Sequence, residues 1–432
     1  MRRAYDSFRE VQIVGDVTVK EFKKILTEKM VKLNDRLDVY LGKLYGKDPR
    51  KVDDYKTWHD SHKPFHWFAE FYDIVHDRGG FDVIIGNPPY VELKSVNQYK
   101  LVGYECYDSG NLYALVIERS YLLSSVYGMQ GFIVPVSSVS TDRYITLQNL
   151  LSSRCIHYSS FDDRPSRLFD GLEHIRLTIH IISPKSKKQA LYSERYNKWF
   201  SIERPTLFNN LAYANSTRFA TDSSLPKLYT EIENSIVIKL LAENSLLAKY
   251  FLKNSKYHVY YSRKVGYFLQ VLDFEPEVYD GEGNIRPPSE FKTLNFSCIE
   301  QSKSALCCLN SNLYYWFTTV LSDCRHVNKR EVDCFPVRLE KLAKSDNGKS
   351  LSLLAYELMN DIKSNSESKH MKFSHDTLKV QCIYPKKSKP IIDKIDTILA
   401  KHYGFTDEEL DFIINYDIKY RMGKGAGEED DL

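Results

Sequence analysis

The sequence predicts an α/β fold organised on a parallel sheet, and two stretches carry that prediction. The first is Phe81-Asp-Val-Ile-Ile-Gly-Asn-Pro-Pro-Tyr90, where the apolar run Val83, Ile84, Ile85 reads as a strand buried on both faces, the habit of a central parallel strand. The second is the order strand, helix, strand. Asn111 to Leu123 repeats apolar residues at helical spacing and leads into Gly131-Phe-Ile-Val-Pro-Val136, another short apolar strand. Parallel neighbours need such a crossover between them.

Taken in order, residues 1–62 are charged and helical in character. From Thr18 the set Val19, Phe22, Ile25, Leu26, Met30, Leu33, Leu37 and Leu41 recurs every three or four residues. This predicts one long amphipathic packing helix that ends near Gly42 to Gly46. Pro64 to Val75 is dense in aromatics and reads as a strand or loop beside the sheet, with core packing its default role; Glu70 is a candidate to face the pocket. Val91 to Tyr107, with Glu92, Lys94, Lys100 and Tyr104, reads as a mobile loop. Phe161 to Leu172, with Asp162, Asp163, Arg164 and Phe169, reads as a further loop, and His174 to Ile182 as a strand. Phe169 is assigned to the core or to a planar ligand with equal weight. Pro184 to Lys188 is a basic turn, Tyr192 to Pro205 a linker, and the composition shifts near 205–230. Ile391 to Tyr403 and Asp407 to Tyr416 form a helical pair joined at Gly404, ahead of the acidic tail Glu428-Glu-Asp-Asp431, expected to lack order.

The chemistry concentrates at Asn87 to Tyr90. Ligands of parallel sheets bind at the carboxyl ends of the strands, and this turn follows one. Pro88 and Pro89 fix their own φ and hold the preceding residue extended. The product is a rigid cup with an amide oxygen, a proline carbonyl and a ring face, suited to a flat group bearing an amine. The exocyclic amine of adenine is a poor nucleophile because its lone pair is delocalised into the ring. Acceptance of one amino hydrogen by Asn87 Oδ1 and one by the Pro88 carbonyl frees that pair for in-line attack on a methyl donor, with no covalent enzyme intermediate. Tyr90 is then expected to stack on a base flipped out of the duplex, worth roughly 1–3 kcal/mol. Asn-Pro-Pro is also an ordinary turn signal; the apolar strand ahead of it favours the site.

On these residues the chain resembles adenine-specific DNA methyltransferases, above all the large methylases of restriction–modification systems that carry methylase and recognition domain on one chain. The likeness runs upstream through Pro64-Phe65-His66-Trp67-Phe68-Ala69-Glu70-Phe71 and downstream to Tyr416-Asp417-Ile418-Lys419-Tyr420-Arg421. Asn87-Pro88-Pro89-Tyr90 is its specific part. The resemblance implies a helical insertion at 1–62 and a partial Rossmann-like methyltransferase core at 63–205. It also implies an α+β target-recognition domain at 206–345 and a helical C-terminal region at 346–432. Double-stranded DNA is the implied partner and S-adenosylmethionine the implied donor, with Asp82 and Gly86 beside it. Asn310-Ser-Asn-Leu-Tyr-Tyr-Trp-Phe317 through Cys334-Phe-Pro-Val337 resembles part of that recognition domain. Two basic clusters fall there, one with Lys256, Arg263 and Lys264 and one with Arg325, His326, Asn328, Lys329 and Arg330. Lys and Arg neutralise phosphates, while Asn and Arg read base edges; taken alone, each cluster is more often a solvated face.

Composition limits the alternatives. A 432-residue chain with 43% hydrophobic and 13% aromatic residues suggests two or three domains with real cores. A net charge of +3 is too small to establish a nucleic-acid partner by itself. No apolar run approaches the length of a membrane span, and the Met1-Arg2-Arg3 start has no apolar core behind it, so a cytoplasmic protein is expected. Cys106, Cys155, Cys298, Cys307, Cys308, Cys324, Cys334 and Cys382 show no paired spacing and read as free thiols, with no metal site. No nuclease signature is present. Gly15, Gly42, Gly46, Gly79 and Gly80 precede the catalytic turn, but none forms the strand, glycine loop and helix of a donor site. Three explanations stay open: an inactive gene fragment, one subunit of a split methylase with its donor half on a separate subunit, or a donor site of another form. A non-catalytic DNA-recognition subunit is the competing function. Methylation of RNA or protein glutamine is the third, and the recognition-like second domain argues against it.

Overall fold

The computed structural model describes residues 2–14, 18–185, 187–221, 223–372 and 377–423; the acidic run 428–431 lies outside them. The chain forms two compact units, one of residues 1–134, 149–156 and 180–189, the other of residues 135–148, 157–179 and 190–432. No described helix is long and apolar enough to cross a membrane.

In the first unit the helices Arg2–Val14, Val19–Leu44 and Val52–His62 precede the sheet. The long helix matches the three- and four-residue periodicity almost to the residue. Gly42 is where the third helix crosses it: a Cβ there would stand 2.8 Å from the Tyr55 ring. Asp38 on the long helix then takes both His59 Nε2 (3.0 Å) and His66 Nε2 (2.8 Å). The aromatic stretch from Pro64 forms a helical turn, Trp67–Glu70, and a π-helical turn, Asp73–Asp77, rather than a strand. Ring contacts decide this, since Trp67 and Phe71 stack and both pack edge-on against Phe81. Glu70 does not face a pocket; its carboxylate accepts from Asn34 Nδ2 at 2.6 Å.

Strand β1 is Phe81–Gly86 and β2 is Ser124–Pro135, joined by the helix Leu112–Leu123 and paired in parallel with Ile84 opposite Gln130 and Ile85 opposite Gly131. The expected strand–helix–strand unit is therefore present. β1, however, is the edge strand of the sheet, and Val83 and Ile85 are 60% and 80% exposed. This corrects the expectation of a central strand buried on both faces: an apolar run says that a strand wants neighbours, not that they are there. The unit continues with the first residues of β3 (Cys155–Phe161) and the last of β4 (Leu177–Ile182), in the order β1-β2-β4-β3. The predicted strand from His174 is thus the shorter β4.

The second unit holds the remainder of β3 and β4 with β5 (Ala190–Asn197) and the short β6 (Ala214–Asn215), in the order β4-β3-β5-β6. Residues 192–205, expected as a linker, begin inside β5. A second sheet has the order β10-β7-β8, from β7 (Tyr257–Ser262), β8 (Val271–Leu272) and β10 (Phe291–Phe296); β9 (Val278–Tyr279) belongs elsewhere. The helices Ile299–Asn310 and Asn312–Leu321 form the core of this unit, with Trp316 fully buried. Asp396 caps the second of them by accepting from Asn312 N and Leu313 N, both at 3.0 Å. The C-terminal part contains the helices Asp346–Asn365, Lys389–Tyr403 and Asp407–Asn415, the last two joined at Gly404 with φ of +70°. It is not wholly helical. Strands β11 (Glu367–Lys372) and β12 (Thr377–Cys382) form an antiparallel ribbon that adds to β9.

Candidate active site

Asn87 to Tyr90 stand at the carboxyl end of β1. Asn87 and Pro89 are exposed, Pro88 is buried and Tyr90 half-buried. The chain leaving the turn is tied to the start of the following helix, because Leu112 N donates to Val91 O and Leu93 N to Gly110 O, both at 2.9 Å. Tyr90 therefore has a fixed base. Its hydroxyl donates to Asn87 Oδ1 at 2.7 Å and lies 3.0 Å from the Ile133 carbonyl on β2, while its ring meets Tyr113 edge-on. Burial pushes the Tyr90 hydroxyl up to about 12, so it remains a donor at any physiological pH. Stacking on a base was the role expected from sequence. The hydroxyl also holds the Asn87 side chain with its amide oxygen toward Tyr90 Oη.

The loop beyond the turn makes hydrogen bonds at both ends. Glu118 accepts from Glu105 N and Cys106 N at 2.9 Å. Lys100 N donates to Tyr45 Oη at 2.8 Å, its ammonium reaches the Leu44 carbonyl, and the Tyr99 ring packs on His62. The N-terminal helices thus grip the segment that follows the catalytic turn.

A cleft of about 490 Å³ opens beside β1, walled by Phe81, Val83, Ile85, Leu101, Val116 and Phe132, with Tyr104, Arg119 and Ser120 as polar members. S-adenosylmethionine carries ribose hydroxyls and a zwitterionic end, and needs a carboxylate and N–H donors. No carboxylate lines this cleft. Gly86 does not mark a close approach either, since a Cβ there would meet only the Phe132 ring at 3.6 Å. Asp82 is exposed and is not part of the cleft wall. The described residues of this unit do not fit a complete donor site.

The predicted DNA-binding residues lie in the second unit. A β-bridge between Lys264 and His326, with Val327 N donating to Arg263 O at 2.9 Å, brings Arg263, Lys264 and Arg325 into one patch although they are some sixty positions apart in sequence. Lys256 is exposed at the far end of β7. Asn328 caps the short helix Lys329–Asp333 and Lys329 pairs with Asp333. Arg330 belongs to the fold rather than to a surface: its guanidinium reaches Asp142 Oδ1 (2.8 Å), Ser140 O (2.6 Å), Ser223 O (2.9 Å) and Glu331 Oε1 (2.7 Å). Phe169 is 38% exposed, on the loop between β3 and β4.

Comparison with known proteins bears on this site. Residues 16–164, which include the Asn87 to Tyr90 turn, match the family described as Eco57I restriction-modification methylase. The chain is 29% identical over 197 residues to the putative type II restriction enzyme and methyltransferase RM.MjaORFECS2P of Methanocaldococcus jannaschii, covering 44% of this chain and 15% of that protein. It is 36% identical over 80 residues to the type II restriction enzyme and methyltransferase RM.Eco57I of Escherichia coli, covering 17% and 8%. The chain thus spans a small part of these relatives. Among solved structures, the type IIL restriction-modification enzyme MmeI in complex with DNA superposes with a TM-score of 0.40 and 12% identity, over 79% of this chain and 57% of that one.

Proposed function

We propose that this chain is an adenine-specific DNA methyltransferase of a restriction–modification system, acting on the exocyclic amine of a flipped adenine. The observation that carries the reading is the Asn87-Pro88-Pro89-Tyr90 turn at the carboxyl end of a parallel strand, with Asn87 Oδ1 oriented by the Tyr90 hydroxyl. Asn87 Oδ1 and the Pro88 carbonyl accept the two amino hydrogens, Pro89 stiffens the turn, and the Tyr90 ring covers the base. The methyl group comes from a donor such as S-adenosylmethionine. DNA is held by Lys256, Arg263, Lys264 and Arg325, with Asn328 and Lys329 beside them. The test is methyl transfer to duplex DNA, with N6-methyladenine as the product sought. Asn87→Ala should abolish transfer and leave duplex affinity nearly unchanged; retained transfer would overturn the role of Asn87.

A second reading places the donor site on a separate subunit. The bare edge of β1 supports it, with Val83 and Ile85 exposed beside a cleft that lacks a carboxylate. Calorimetry of S-adenosylmethionine with the purified chain, with and without duplex DNA, separates the two. Saturable binding to the chain alone refutes the split arrangement.

A further inference from the structure

The antiparallel ribbon β11–β12 has two unlike faces. The register puts Ser368 opposite Gln381, His370 opposite Lys379 and Lys372 opposite Thr377. Side chains directly opposite share a face, so these six line one side. Five of them are exposed and Gln381 is half-buried. The other face carries Met371, Leu378, Val380 and Cys382, each half-buried, together with Lys369 and Glu367. The ribbon therefore has an apolar side and a side of exposed ammonium, imidazole and hydroxyl groups, on which the Gln381 amide is held by Ser366 Oγ at 2.9 Å and Glu277 N at 3.1 Å.

Glu277, adjoining β9, takes the Tyr279 hydroxyl at 3.1 Å, and Glu367 on the opposite face pairs with Lys387 at 3.5 Å. Lys379 lies over the Tyr279 ring, and Lys386 and Lys387 follow shortly after β12. A two-stranded ribbon fits the major groove of B-DNA, which is about 12 Å wide, and its lysines reach the flanking phosphates.

We infer that the β11–β12 ribbon is a contact surface for double-stranded DNA, through Lys372 and Lys379 to phosphates and through the hydroxyl and imidazole groups between them to the groove. The inference rests on the DNA-methyltransferase reading and adds a surface outside residues 206–345. Its test is binding of a fluorescein-labelled duplex by anisotropy across a salt series. Lys372→Gln with Lys379→Gln is compared with Lys349→Gln and Lys394→Gln, which remove the same charge elsewhere. Each phosphate left without its lysine should lower the slope of log K against log salt by about 0.9. The slope for the ribbon pair should therefore fall by about 1.8, with binding at least tenfold weaker at low salt. The control pair should stay within about twofold. Equal slopes for the two pairs would overturn the inference while leaving the methyltransferase reading intact. Failure of the parent chain to bind duplex at any salt would overturn both.

Discussion

Lys198→Met should be among the most costly single changes in the second unit. Lys198 Nζ is buried between Tyr315 Oη at 2.6 Å, to which it donates, Asp417 Oδ2 at 2.9 Å and Asp162 Oδ2 at 4.0 Å. Burial disfavours its charge, but Asp417, Tyr315 and Asp162 outweigh that and keep it protonated. Methionine matches the length and removes the cation, leaving Asp417 buried without its partner. Breaking a buried pair from one side costs about 3–5 kcal/mol, several times the value of an exposed pair. Urea unfolding followed by circular dichroism at pH 8 should show that loss. Asp162, which burial pushes up to about 6, takes up a proton as the pH falls, so the loss should shrink at pH 5. Lys198→Met combined with Asp417→Leu should recover at least 1 kcal/mol, because an apolar replacement of the whole pair is often near neutral. A single variant within about 0.5 kcal/mol of the parent at pH 8, or a double variant no better than the single, would refute the argument.

Other outcomes follow from the same geometry. Tyr90→Phe removes the hydroxyl that orients Asn87 but keeps the ring, and should lower kcat about fivefold, the loss of roughly 1 kcal/mol for one hydrogen bond; a drop as large as that of Asn87→Ala would show that the hydroxyl does more than orient. Glu194 is pushed up to about 7 by burial, against its bond from Asn197. A carboxyl raised in the folded state withdraws stability as pH climbs from its unfolded value to its folded one. Glu194→Gln should therefore gain on the parent between pH 4.5 and 7, and a difference in melting temperature that is flat with pH refutes this. Val83→Asp with Ile85→Lys should leave the chain's own unfolding within about 0.5 kcal/mol, since both sites are exposed. In the split arrangement the same change should abolish methyl transfer by the assembled enzyme; full transfer counts against a partner on that edge.

Much of the fold was legible because local rules wrote it. The helix Val19–Leu44, the crossover helix after Asn111 and the joint at Gly404 follow from apolar periodicity, an N-cap and a left-handed glycine. The turn at Asn87 to Tyr90 was legible for the same reason, since two prolines after an apolar strand restrict the backbone whatever surrounds it. The ribbon had a signal that helical expectation obscured, the alternation of Leu378, Val380 and Cys382 with Lys379 and Gln381.

By itself, then, the sequence determined the elements and the rigid turn at Asn87 to Tyr90, because those depend on neighbours along the chain. Tertiary structure alone decided the rest. It set β1 at the sheet edge with two apolar side chains exposed. It drew Lys198 from a supposed linker into a buried pair with Asp417, and joined Lys264 to His326. It also turned Arg330 inward. Burial and pairing are properties of residues far apart in sequence, and no local pattern of apolar or charged side chains specifies which distant groups will meet.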